Sequence, residues 1–350
     1  MGMRGEVLEN FRYHADQDFG KSASLIVSRI AQCLIDIVDE KSSFGRRLIG
    51  WGDSAGPDAL ALRAIAAFHA LKLSGMAPDL TAHYPPNQTD DAALRRVIVS
   101  TLEVHDEFLA KYLDSPPQTN EVARSSMILG AALHVAAQTR LPISLLEIGA
   151  SAGLNLWFSK FSYDFGNGLS WGSAQAPLTI KSNWQGNVPP LDAPLKIVDR
   201  KGCDQNPLFP SNQDDRSRIL SYIWPDQLER MDRISRALEF AATQQRCVEK
   251  ADAADWVECE LVKPSNPATV RMLYHTVFWQ YLPQETKVRI TKAINSAGAV
   301  ATEQTPLAWF RFETDDNHED GGRMELTLWP EGNTRQLGRA NFHGRWVRWT

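Results

Sequence analysis

Three observations predict an α/β fold for this chain of 350 residues. Before residue 140 the apolar residues recur at helical spacing; from Ile143 onward short apolar runs alternate with helical stretches; and Leu145 to Asn155 passes from an apolar strand into small residues that suit a tight strand-to-helix turn. Alternating strands and helices imply a parallel sheet with right-handed crossovers. The expected architecture is therefore an all-helical N-terminal domain, 1–117, followed by a mostly parallel sheet domain, 118–350.

The elements follow in order. Ile26, Ile30, Cys33, Leu34 and Ile37 share one helical face, as do Leu60, Ala64, Phe68 and Leu71, and then Leu94, Val97, Ile98, Leu102 and His105. Gly75, Pro85-Pro86 and Pro116-Pro117 punctuate these helices. A helix over 121–138 leads into a strand at 143–148, the glycine turn and a further helix. Residues 163–194 are aromatic and glycine-rich and read as an inserted hairpin or lid. Strands are then expected over 195–203, 246–250, 270–274 and 308–312, with helices around Leu228 to Ala241 and Glu285 to Ser296. Met324 to Trp329 and Gln336 to Ala340 flank Pro330-Glu331-Gly332-Asn333 and predict an antiparallel hairpin.

Composition narrows the function. With 43% hydrophobic residues the chain can bury a proper core, and 37 Lys and Arg against 42 Asp and Glu, with no long run of one sign, give no polyanion-binding surface. Nucleic acid is not an expected partner. Cys33, Cys203, Cys247 and Cys259 lie far apart without a C-x-x-C pair, which suits buried reduced thiols better than disulfides or zinc. The first residues are too polar for a signal peptide, and no apolar stretch has the length of a membrane span, so a cytoplasmic protein is expected. Oligomeric state is not legible.

In open α/β sheets ligands bind at the carboxyl ends of the strands beside the switch point. The first strand ends in Glu147, then Gly149, Ala150, Ser151 and Gly153, then Asn155. Small residues there let the backbone approach a ligand, and an acid in this position accepts from an amine or hydroxyl while repelling a phosphate. That favours S-adenosyl-L-methionine over a dinucleotide. Asp204 ends the second strand, where it can take ribose hydroxyls in competition with Asp199; Asp252 with the Ala253 amide follows the third and suits adenine; His275 ends the fourth, beside the reacting centre. A parallel sheet closed by an antiparallel hairpin is the layout of a Rossmann-like class I methyltransferase. The expected activity is thus methyl transfer to a small-molecule acceptor by in-line displacement, which needs alignment and a desolvated nucleophile. His275 is the candidate base and Tyr281 joins it as a catalytic candidate; Trp157, Tyr163, Trp171, Trp279 and Tyr281 are candidate aromatic walls for a sulfonium.

Each residue also has a purely structural reading. Glu147 can cap a neighbouring helix, Asp204 can form an Asx-turn ahead of Pro207, Asp252 can be the N-cap of the helix carrying Trp256, and His275 can be a hydrogen-bonded core histidine. No histidine pair has ligand spacing, so no metal is expected. Gly149, Ser151 and Gly153 also spell G-x-S-x-G, which would make Ser151 a hydrolase nucleophile with Asp252 and His275. A non-catalytic nucleoside binder is the third reading.

Two strings carry a family resemblance: Gln118-Thr119-Asn120-Glu121-Val122-Ala123-Arg124-Ser125, and Leu146 to Leu156. With Gly202 to Pro207, Trp224-Pro225-Asp226-Gln227 with Arg230, Tyr281-Leu282-Pro283 and His343-Gly344-Arg345-Trp346, the chain resembles an uncharacterised bacterial family, domain of unknown function 2332. That family is similar to class I methyltransferases in its glycine motif, with Ser151 standing where the superfamily usually has glycine. Arg124, at the start of the helix before the first strand, can hold a carboxylate of cofactor or substrate bidentately, or pair with Glu121 on its own helix.

Overall fold

The computed structural model describes residues 3–13, 15–16 and 24–350. The chain divides into two compact units, Met1–Thr119 with Asn212–Ser235, and Asn120–Ser211 with Arg236–Thr350. The segment 212–235, expected inside the sheet domain, is thus grouped with the N-terminal helices.

Within the first unit the described elements are all helical, among them Leu25–Ile37, Leu60–Ser74 and the long helix Asp91–Tyr112. Ser24 caps the first of these by accepting from the Val27 amide, and Asp90 caps the third through the Ala93 amide. Ile30, Leu34, Phe44, Phe68 and Ile98 meet in one core without solvent contact. His69 is buried there with Nδ1 on the Ser221 carbonyl at 3.0 Å, and burial holds its pKa down at about 4. It is a structural histidine.

The second unit is built on a nine-stranded sheet. Its strands in chain order are β1 (Ile143–Ile148), β5 (Asn183–Gly186), β6 (Ile197–Asp204), β7 (Val248–Lys250), β8 (Val270–Thr276), β9 (Leu307–Glu313), β10 (Gly322–Trp329), β11 (Asn333–Ala340) and β12 (Trp346–Trp349), arranged β5-β12-β11-β10-β9-β8-β1-β6-β7. β7, β6, β1, β8 and β9 are parallel, while β9 to β12 form an antiparallel meander. The architecture is α/β with a large, mostly parallel sheet.

Strand parity sorts the buried residues. Leu146, Ile148, Cys203, Leu273 and Trp309 face helices Ala253–Val262 and Gln284–Ala299 in one apolar cluster. Helix Ser125–Thr139 packs on β8, β9 and β10 and contributes nothing to that cluster, so it covers the other face. Burying a side chain such as Leu273 contributes about 1.5–3 kcal/mol.

Several expectations change. The stretch 163–194, expected as an inserted hairpin or lid, holds an antiparallel strand pair and an edge strand of the main sheet. β2 (Ser162–Gly166), β3 (Leu169–Trp171) and β4 (Thr179–Lys181) form a separate three-stranded sheet, and β5 joins the main sheet as an edge strand parallel to β12. The helix after the glycine turn is only a seven-residue 3-10 helix, Leu154–Lys160. The four cysteines are unbridged; Cys33 and Cys203 are buried, whereas Cys259 is exposed.

Candidate functional site

Everything around the carboxyl end of β1 depends on how the chain leaves that strand. Gly149 has φ +68°, Ser151 +52° and Gly153 +71°. A left-handed serine costs about 1–2 kcal/mol unless its surroundings hold it. Asp204 provides that hold: its Oδ2 accepts the Ser151 amide at 2.8 Å, and its Oδ1 accepts the Asn206 amide at 2.8 Å. The Asx-turn is therefore real, and the same carboxylate ties the end of β6 to the glycine turn. At Gly149 a Cβ would lie 2.2 Å from the Phe278 ring, so the missing side chain makes room for an aromatic ring.

Glu147 is 2% exposed and lies opposite Tyr274 on β8, whose hydroxyl donates to Oε2 at 3.3 Å. Burial pushes the Glu147 carboxyl well above the usual carboxylate range and the nearby Asp204 adds to this, while the Tyr274 bond and the charge of Arg124 act the other way. Burial likewise raises the Tyr274 hydroxyl. Register sets Glu147 beside Gly202, two residues before Asp204, so both acids point to the same face at the carboxyl edge. Asp199 pairs with Ser144 near the other end of β1, about 16 Å from the end of β6 by strand rise. Asp204 is therefore the acid at the edge.

The two most specific sequence strings meet here. Asn120, with φ +37°, directs its Oδ1 to the Leu154 amide at 3.0 Å. The Asn155 side chain donates back to the Glu121 carbonyl at 3.4 Å. Arg124 does not depend on Glu121 for its hydrogen bonds: Nε donates to the Phe342 carbonyl at 2.8 Å and Nη1 to the Thr276 carbonyl at 3.2 Å, joining the last residue of β8 to the 341–344 turn. Ser151 Oγ and Asn155 Oδ1 are buried without a hydrogen-bond partner. Three non-glycine residues with positive φ, Asn120, Ser151 and Val277, flank this edge. Such strain concentrates at ligand sites.

Of the other expected site residues, Asp252 stays at the carboxyl edge beside the end of β6, where the Ala251 amide binds the Asp204 carbonyl at 3.0 Å, whereas His275 turns away. Asp252 is the N-cap of helix 253–262, its Oδ1 accepting the Ala254 and Asp255 amides at 2.8 and 3.2 Å, while its Oδ2 is 3.4 Å from the Gln205 side chain. Ala253 is the first, buried residue of that helix. His275 follows Tyr274, so parity turns it to the opposite face from Glu147. It is wholly buried: Nδ1 is 2.6 Å from Glu313, Nε2 accepts the Trp309 indole N–H at 3.2 Å, and the ring stacks on Trp279. A hollow of about 320 Å³ on that face is lined by His275, Trp279, Trp309 and Arg311. Both ring nitrogens are engaged, so His275 has no lone pair to offer as a base where it stands. Tyr281 is 72% exposed. Tyr163 bonds Ser125 and the Phe158 carbonyl in the interior, and Trp157 packs on Phe240 under Arg200.

This arrangement also removes the support for a serine hydrolase, because Ser151 Oγ has no base beside it and His275 lies across the sheet. Among the described residues no group of three His, Cys, Asp or Glu is placed to hold a metal, and no helix is long and apolar enough to cross a membrane. Sequence reasoning missed Tyr274, Asn120, Glu121 and Phe278. Asn120 and Glu121 stood within a string already singled out, and Tyr274 was available from strand parity.

No curated protein and no solved structure matches the chain. A family match spans residues 9–349 and is described as an uncharacterised protein conserved in bacteria. Covering nearly the whole sequence and all the strings that converge on the carboxyl edge, it makes the chain a member of the bacterial family DUF2332.

Proposed function

We propose that the chain is an S-adenosylmethionine-dependent methyltransferase acting on a small-molecule acceptor, with a Rossmann-like class I sheet. The observation that carries this reading is the company kept at the switch point. In the order β7-β6-β1-β8-β9 the direction of winding reverses beside β1, and there Glu147, Asp204 and the left-handed turn 149–153 share one edge. That is where an open α/β sheet holds its ligand.

The residues suit a cationic nucleoside. A buried carboxyl that burial biases toward its neutral form is restored to the carboxylate by a positive ligand group, and Glu147 is such a carboxyl. Asp204 stands at the same edge as an acceptor-only carboxylate, the kind of group that takes ribose hydroxyls. The unmatched Ser151 Oγ and Asn155 Oδ1 offer further polar contacts at the turn. A phosphate is disfavoured, since the first amide of the 3-10 helix is taken by Asn120 and a Glu147 carboxyl biased to its neutral form offers an anion no positive partner. When bound, S-adenosylmethionine supplies an electrophilic methyl carbon on a sulfonium; the protein binds, orients and excludes water.

Titration calorimetry of the purified chain with S-adenosylmethionine tests the reading, together with mass spectrometry of small molecules released on denaturation. Saturable binding weakened at least tenfold in Glu147→Gln, or recovered S-adenosylhomocysteine, supports it. Absence of both overturns it.

A further inference from the structure

We propose that the hollow beside His275, on the face of the sheet turned away from Glu147, is a second binding site, one for a flat aromatic ring that bears a carboxylate. Such a site goes beyond the methyltransferase reading and stands whether or not S-adenosylmethionine binds.

Strand register assembles its walls. His275 on β8 pairs with Arg311 on β9, and on β10 Glu325 and Arg323 lie opposite Arg311 and Glu313. Alternation puts Trp309, Arg311 and Glu313 on one face of β9, together with these partners. The apolar cluster beneath helix Gln284–Ala299 takes in Leu307 and Trp309 but no later residue of β9. Beyond Trp309 the face turns polar, and a hollow of about 320 Å³ remains there. Small-molecule pockets occupy roughly 300–1,000 Å³.

One wall is aromatic. The His275 ring stacks on Trp279 with centroids 4.9 Å apart, and Trp279 meets Trp309 at 5.9 Å and 58°. Glu313 holds this group in place, since its carboxylate accepts the Phe278 and Trp279 amides at 3.0 to 3.1 Å and lies 2.6 Å from His275 Nδ1. Trp279 is only half-buried. Aromatic walls favour a flat ring through offset and edge-to-face contacts.

The other wall carries cations that lack close partners. Arg311 lies over the Trp309 ring at 4.1 Å and donates from Nη2 to the Thr327 hydroxyl at 3.3 Å. Its Nε is shielded from solvent without a hydrogen-bond partner, 3.5 Å from Glu325 Oε2. Burial lowers the Arg311 pKa; Glu325 opposes this and Arg323 adds to it. Arg323 faces Glu313 in register, but that carboxylate is engaged by His275 and the two amides. Asp315, 3.7 Å from Arg323 Nε, has each oxygen on Arg339 at 2.8 Å. Glu325, 3.6 Å from Arg323 Nε, is thus shared between two guanidinium groups at ion-pair rather than hydrogen-bond distance. Two cations with one loosely shared acid leave place for a single negative charge, and the planar guanidinium matches a carboxylate in shape.

Calorimetry of the intact chain with 2-naphthoate at neutral pH tests the site. The wild type should bind it saturably, and at least tenfold more tightly than naphthalene-2-carboxamide, which lacks the charge, or decalin-2-carboxylate, which lacks the flat ring. Arg323→Gln changes a side chain that is 44% exposed, so the fold should persist while affinity for 2-naphthoate falls at least fivefold. Trp279→Leu should weaken it as much, with a melting curve to check folding. S-adenosylmethionine affinity in Arg323→Gln should stay within twofold, which separates the two sites. Absence of saturable 2-naphthoate binding, equal affinity for the carboxamide, or undiminished affinity in Arg323→Gln overturns the proposal.

Discussion

Asn120 Oδ1 accepts the Leu154 amide at 3.0 Å, so a residue 34 positions earlier closes the turn that follows β1. The contact substitutes for an N-cap where Gly153, the residue before the 3-10 helix, has no side chain to offer.

Asn120→Ala should cost about 1–3 kcal/mol, because it leaves the Leu154 amide without its acceptor and places alanine at a positive φ. Asn120→Asp, which keeps the acceptor, should lose less. Urea denaturation of the two variants checks this; equal losses would mean that the bond contributes nothing.

Glu147→Gln should stabilise the free protein in a pH-dependent way. With its pKa raised in the folded state, native Glu147 holds its proton more tightly than the unfolded chain does, so stability declines as pH rises above the ordinary value of 4.5 and continues to decline until the folded value is passed. Below 4.5 both states are protonated and no penalty remains. Melting temperatures of the wild type and Glu147→Gln should therefore converge at pH 4 and separate in favour of the variant at pH 7 to 8. A difference independent of pH would contradict the buried neutral carboxyl.

His275→Ala should act on stability rather than on the ligand. Removing a buried ring with partners on both nitrogens should cost about 2–4 kcal/mol and leave the Trp309 indole and Glu313 short of a partner. Affinity for S-adenosylmethionine should stay within twofold by calorimetry. A tenfold loss in a folded variant would return His275 to the site.

Gly149→Ala combines a left-handed backbone, about 1–2 kcal/mol, with overpacking against Phe278, about 1–3 kcal/mol. Phe278→Ala in the same chain should relieve the second contribution and not the first. A double-mutant cycle should give a coupling of about 1 kcal/mol or more. Strict additivity would show that the ring does not occupy that space.

The sequence disclosed the parallel half of the sheet well because its signals are local. The run 143–148 is legible to the residue, since Pro142 and the glycine turn bound a mainly apolar stretch. β5 and β12 escaped notice: at four residues each they are too short for a periodic signal, and β5 becomes a strand only by pairing with the distant β12. At the site, the acids of β1 and β6 were legible from where their strands end. The role of His275 was not, because proximity to a strand's end says nothing of the face. The adjacency of Tyr274 and His275 already places them on opposite faces, but only the register with Glu147 shows which of them faces the turn.

The main sheet ends on one side in β5, four residues long and soon followed by Pro189-Pro190, and on the other in β7, three residues long. A long open border would present a row of unpaired amides and carbonyls on which a strand from another molecule could dock. Borders this brief present only a few, so a nine-stranded sheet rich in valine, leucine and tryptophan can stay apart from its copies at high concentration and resist growth into fibrils.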